Sequence, residues 1–134
     1  MEIIKTKDHL SIKLLAQRIK LYMEKEGCDP SPDTIIQWVR ANLQNPFVNI
    51  WIAQEEDEVV GYCITNIQQL LDREVLNISH LDGDTEEIEK EILSVVEKWA
   101  KDFSIKYVGV FTKITDRWTG YGFEIKEHKM MKEI

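Results

Sequence analysis

Through the first quarter of the chain, apolar side chains return every three or four residues: Ile12, Leu15, Ile19, Tyr22 and Met23. That spacing stacks them on one face and predicts a helix over residues 8–26. Gly27 closes it, since a residue without Cβ suits the left-handed turn that ends a helix. Ser31-Pro32-Asp33 predicts a second start, with a capping hydroxyl, a proline where no N–H is needed, and an acid facing the dipole. Ile35, Val39 and Leu43 share its inner face, and Asn45-Pro46 stops it. No element is assigned before the first helix.

From Val48 the period falls to two. VNIWIAQ (residues 48–54) alternates, and VVGYCITNI (59–67) is rich in β-branched and aromatic side chains. The acidic stretch 55–58 between them predicts the turn of an antiparallel hairpin. Residues 68–72 read as a loop and 74–81 as a third strand. Helical spacing then returns at Ile88, Ile92, Val95, Val96, Trp99 and Phe103, which predicts a helix over residues 85–103. A strand over 105–112 follows at once. Strand, helix and strand of these lengths form a right-handed crossover with parallel strands. A short irregular or helical piece at 116–120 leads to a last strand, FEIKEHKMMKEI, over 123–134. The expected fold is an α/β single domain over 1–134: a mixed sheet with an antiparallel hairpin first, a parallel βαβ centre, and flanking helices.

Composition narrows the function. At 43% hydrophobic and 31% charged residues, the chain has enough apolar material for one core. A formal charge of -7 with no basic patch argues against nucleic acid and suits a cationic partner. The two cysteines, Cys28 and Cys63, form no disulfide framework, and Cys63 lies in an apolar run where a buried thiol is expected. His9, His80 and His128 give no ligand spacing with them, so no metal is expected. No run approaches the ~20 apolar residues of a membrane span, and no secretion signal opens the chain. A soluble, cytoplasmic protein is expected.

The order of elements, together with several short motifs, resembles the GNAT superfamily of acetyl-CoA-dependent N-acetyltransferases. WIAQEEDEVVGYCI resembles that family's second and third strands, with Val-Gly-Tyr after an acidic turn. ILSVVEKWAKDFSIKYVGVFT resembles its central helix and fifth strand, through Glu97, Trp99 and Ala100. YGFEIKEHKMMKEI resembles its C-terminal strand, through Gly122, Phe123, Met130 or Met131, and Lys132. The likeness covers nearly the whole chain and is best from Asn49 onward.

The resemblance implies acetyl-CoA as cofactor, held by an Arg/Gln-x-x-Gly-x-Gly/Ala signature between strand and helix. Small residues there let backbone N–H groups approach a pyrophosphate at a helix N-terminus. Aligned without gaps, the signature falls on residues 84–89. Asp84 stands at the cation's position, and Glu87 and Glu89 stand at the small residues' positions. Residues 82–91 hold six acids and one lysine. A carboxylate ~5 Å from a phosphate opposes it by a few kcal/mol at an effective dielectric near 20. These acids argue against efficient acetyl-CoA use. Asp84 with Glu87 instead fits a helix capping box.

The resemblance also implies where the site lies. Ile78, His80, Gly83, Asp84, Thr85 and Trp118 take the positions of the cofactor cleft, a slot lined from His80 and Thr112 and flanked by Trp118. The family's acid, a tyrosine four residues before the glycine of the Gly-Phe pair, is replaced by Trp118, which leaves Tyr121 as candidate acid. His80, at a strand end, is the candidate base, with an ordinary pKa suited to neutral pH. Two functions follow. One is a GNAT-fold binding or regulatory module for a protein or a small cationic amine. The other is an active N-acetyltransferase on such an amine, with backbone groups near 78–80 orienting the thioester. An exposed sheet edge could also add a second copy of the chain.

Overall fold

The computed structural model describes residues 1–6, 11–112, 115–126 and 130–134, with the backbone alone for 11–14 and 115. His9, His128, the start of the expected first helix and the middle of the expected last strand lie outside the described residues. The elements are β1 (Glu2–Thr6), α1 (Ser11–Lys25), α2 (Pro32–Leu43), β2 (Val48–Glu55), β3 (Glu58–Gln69), β4 (Glu74–Gly83), α3 (Glu86–Asp102), β5 (Tyr107–Val110) and α4 (Thr115–Thr119).

The five strands form one sheet in the order β1-β2-β3-β4-β5. The first three pairings are antiparallel, and β4 with β5 is parallel, Val75 opposite Tyr107 through Ile78 opposite Val110. The crossover expected around α3 is present. The hairpin turns on Glu56 and Asp57, both at positive φ (49° and 66°), the twist that a two-residue hairpin loop requires. Ser31 caps α2 by accepting from the Thr34 amide, with Pro32 next. Gly27 ends α1 at φ 80°, where a side chain would be strained.

Each face of the sheet carries its own core. Leu15, Ile19 and Tyr22 of α1 and Ile35, Val39 and Leu43 of α2 close on Val48, Ile50, Ile52, Tyr62 and Ile64. On the other face Ile92, Leu93, Val96 and Ala100 of α3 close on Trp51, Ala53, Cys63, Leu76, Ile78 and Leu81, joined by Trp118 of α4. Cys63 is fully buried, and burial pushes its thiol well above the usual range. No helix among the described residues is long and apolar enough to cross a membrane.

Four expectations are corrected. β1 adds a strand before the first helix, pairing Glu2–Thr6 with the outer edge of β2. The buried stripe of α3 is Glu89, Ile92, Leu93, Val96 and Ala100, while Val95 and Phe103 face solvent. Its cap is Thr85, whose hydroxyl accepts from the Ile88 amide, so no Asp84–Glu87 box forms. The last strand is absent among the described parts of 123–134: Phe123 packs on the core, but the segment joins no ladder.

Candidate functional site

β4 carries the site, and a bulge sets its geometry. Opposite β3 the register jumps from Ile64–His80 to Thr65–Ile78, leaving Ser79 as the extra residue. Leu76 and Ile78 point to the α3 side, and the bulge turns His80 to the α1/α2 side, where plain alternation would not place it. Pairing with β5 ends at Ile78–Val110, whereas β4 runs on to Gly83, so the two strands part beyond that rung. An open groove of about 400 Å³ lies there, lined by Asn66, Gln68, Asn77, Ile78, Ser79 and Phe111. His80, Thr112 and Trp118 do not line it.

His80 is buried in an aromatic stack. Tyr22 lies on one ring at 4.6 Å between centroids and Trp38 at 5.1 Å, nearly parallel. Its Nδ1 is 3.1 Å from the Tyr62 hydroxyl. Burial lowers its pKa to about 4, so the ring is neutral at neutral pH. Nε2 can accept a proton only in the tautomer whose Nδ1–H donates to Tyr62. The sign of the pH effect follows. The folded pKa lies below the unfolded ~6.5, so the stabilisation is complete above that pH and is lost as pH falls toward about 4. The full shift corresponds to about 3 kcal/mol. The urea midpoint of the wild type should therefore fall more steeply between about pH 7 and pH 4 than that of His80→Gln. Parallel profiles would show that His80 does not titrate with unfolding.

Beyond the parting of the strands, a chain of charged groups crosses the gap. Arg117 of α4 donates through Nη2 to the Leu81 carbonyl and to Glu89 Oε2, the latter at 3.1 Å. Its Nη1 lies 3.6 Å from Glu26 Oε1 at the end of α1. Thr112, just past β5, donates to Glu26 Oε2 at 2.6 Å. The guanidinium lies between the rings of Trp118 (4.9 Å) and Tyr22 (5.5 Å). Burial disfavours its charge, but the Glu89 carboxylate outweighs this and raises its pKa further. Trp118 is itself buried in the α3-side core, and thus lies across the sheet from His80 with Arg117 between.

Glu89 occupies the loop amide. Its Oε2 accepts from Gly83 N–H at 3.0 Å, and its Oε1 accepts from the Tyr121 hydroxyl at 2.5 Å. The Tyr121 phenol is pushed above its usual range by burial and then by this carboxylate, which makes it a poor acid. Glu89 is 7% exposed, whereas Glu86 and Glu87 face water. The close fit needs small residues beneath it: a Cβ at Gly83 would meet Glu89 Cγ and Ile88 Cγ2 at 3.0 Å, and one at Gly61 would meet Ile92 Cδ1 at 2.8 Å. The Asp84 amide donates to the Val60 carbonyl at 2.9 Å.

Two cations of α1 pair with Asp82 and Asp84 at the loop entrance. Arg18 Nη1 donates to Asp84 Oδ1 at 2.9 Å, and Nη2 lies 3.5 Å from buried Asp82. Lys25 Nζ reaches Asp82 Oδ1 at 2.8 Å. Arg18, Lys25, Glu26 and Arg117 were not among the expected site residues. Arg18, Tyr22 and Lys25 share one face of α1 by their spacing, a signal present in the sequence. Nothing local marks Arg117. Among the described residues, no group of three or more His, Cys, Asp or Glu is placed to hold a metal ion.

No protein-family model matches the sequence, and no curated protein matches it. Solved structures do. A predicted acetyltransferase with acetyl-CoA from Clostridium acetobutylicum superposes with a TM-score of 0.78 at 18% identity, over 98% of this chain and 95% of that one. A GNAT family acetyltransferase from Staphylococcus aureus gives 0.74 at 13%, over 100% of both chains. An aminoglycoside N-acetyltransferase in complex with CoA gives 0.76 at 12%, over 99% of this chain and 93% of that one. Likeness at these identities establishes the fold: the chain has the fold of GNAT acetyltransferases.

Proposed function

We propose that this GNAT-fold protein makes weak use of acetyl-CoA, if any, and serves as a binding or regulatory module. The observation that carries this reading is the Glu89 carboxylate, seated on the Gly83 amide and held by Arg117 and Tyr121. In a phosphate-binding strand-to-helix turn, that amide and the nearby helix start receive the ligand's anion. Here a side chain of the same helix supplies the anion, at a position where the family's signature has a small residue. An incoming diphosphate has to expel it and pass the exposed Glu86 and Glu87. The Glu26–Arg117–Leu81 bridge also spans the parted strand ends where a pantetheine arm would enter.

The exposed acids at the loop mouth and the net charge of -7 fit a cationic partner, either a basic protein surface or a small amine. The rival reading, an active N-acetyltransferase, has one observation in its favour: His80 is neutral at physiological pH on the strand that borders the groove. Isothermal titration separates the two. The wild-type protein should bind acetyl-CoA no tighter than ~100 µM. A low-micromolar dissociation constant would replace the module with the enzyme.

A further inference from the structure

On the α1/α2 face of the sheet, the apolar core reaches Ile64 on β3, and beyond it amides take over. By alternation Asn66 and Gln68 of β3 and Asn77 of β4 stand on that same face, with Asn66 opposite Asn77. Together with Ser79 and Phe111 they line the groove of about 400 Å³ where β4 and β5 part. Among the described residues, none that lines it is charged, in a chain of which 31% is. The exposed acids at 84–87 follow the end of β4 and lie outside it.

Two of these amides hold each other in place. Asn77 Nδ2 donates to Gln68 Oε1 at 2.6 Å, and Asn77 Oδ1 lies so close to β5 that a Cβ at Gly109 would meet it at 3.2 Å. With its oxygen engaged, Gln68 keeps its NH₂ group as a donor. Asn66 has the opposite need: its Oδ1 is buried and has no hydrogen-bond partner. A buried acceptor left unpaired costs free energy, so this oxygen marks the place of a donor from outside the chain. A hydroxyl-bearing ligand meets both needs, because each hydroxyl donates and accepts. A charged ligand would lose its hydration against a lining that offers no counterion. Phe111 and Ile78 give apolar surface for the carbon face of a ring. We propose that this groove binds an uncharged, hydroxyl-rich ring ligand, of the class of a monosaccharide. The site stands apart from acetyl-CoA use, since Glu89, Arg117 and the loop amides take no part in it.

The side-chain amide resonances of Asn66, Gln68 and Asn77, in ¹⁵N-resolved spectra of the full chain, test this. Methyl glycosides of glucose, galactose and mannose are the probes, each added to about 10 mM. At least one should shift these resonances saturably, with a dissociation constant of about 1 mM or tighter. Gln68→Ala, at an exposed position, and Asn66→Ala should each weaken that binding by at least about tenfold. The far-ultraviolet circular dichroism of the Gln68 variant should match the wild type. Glucosamine, an ammonium ion at neutral pH, should bind more weakly than the preferred glycoside. The proposal is overturned if none of the three glycosides gives a saturable shift, or if Gln68→Ala leaves the affinity unchanged. Tighter binding of glucosamine would also overturn it, and would make the groove a site for a cationic amine.

Discussion

Arg117→Met will destabilise the protein by about 3–5 kcal/mol, the usual result of removing one partner from a buried ion pair. The wild-type guanidinium stands between two carboxylates, Glu89 and Glu26, whose side chains are 9% and 11% exposed. Methionine keeps much of the volume between Trp118 and Tyr22 but leaves both acids without their cation. Urea unfolding at about pH 7 measures the loss. Arg117→Met with Glu89→Gln should recover a large part of it, as groups in one network are not additive. A loss below about 1 kcal/mol would mean that water already screens the cluster.

Glu89→Gly should raise affinity for acetyl-CoA by at least about tenfold, or 1.4 kcal/mol. The substitution removes the resident anion and frees three donors together: the Gly83 N–H, the Arg117 guanidinium and the Tyr121 hydroxyl. Glycine near the start of α3 lowers stability by about 1 kcal/mol through backbone entropy, and the lost hydrogen bonds add to that. Glu87→Gly is the control. It removes an equal charge from the same turn, but its carboxylate faces water. Were the two variants to gain equally, general repulsion and not occupancy of the amide would be the barrier.

The local half of this architecture was legible in the sequence. Ser31-Pro32, Gly27 and the acidic hairpin turn depend on residues within a few positions of one another, and each formed as expected; the βαβ unit, whose strands pair residues 32 positions apart, was legible from the order and lengths of its elements. β1 was not legible because Glu2–Thr6 is short and mixes charge with its isoleucines; pairing with β2 makes it a strand. Conversely, Phe123 to Lys126 alternates like a strand and has no ladder, since period two guarantees no partner. The cap falls on Thr85, and the Asp84 carboxylate instead engages Arg18, 66 positions away. Six acids in ten residues looked alike along the chain. Yet Glu89 stands three, four and seven residues before Ile92, Leu93 and Val96, and that spacing already placed it on the buried stripe. The cation awaiting it, Arg117, could only be found in three dimensions.

The amide of Gly83 reports directly on what occupies the loop. In ¹⁵N-resolved spectra of the wild type, its resonance should scarcely move as acetyl-CoA is added up to about 10 µM, because Glu89 holds the site, and should move further in Glu89→Gly. A saturable shift of the Gly83 amide in the wild type, complete at low-micromolar acetyl-CoA, would show that the cofactor displaces the carboxylate, and would contradict the account.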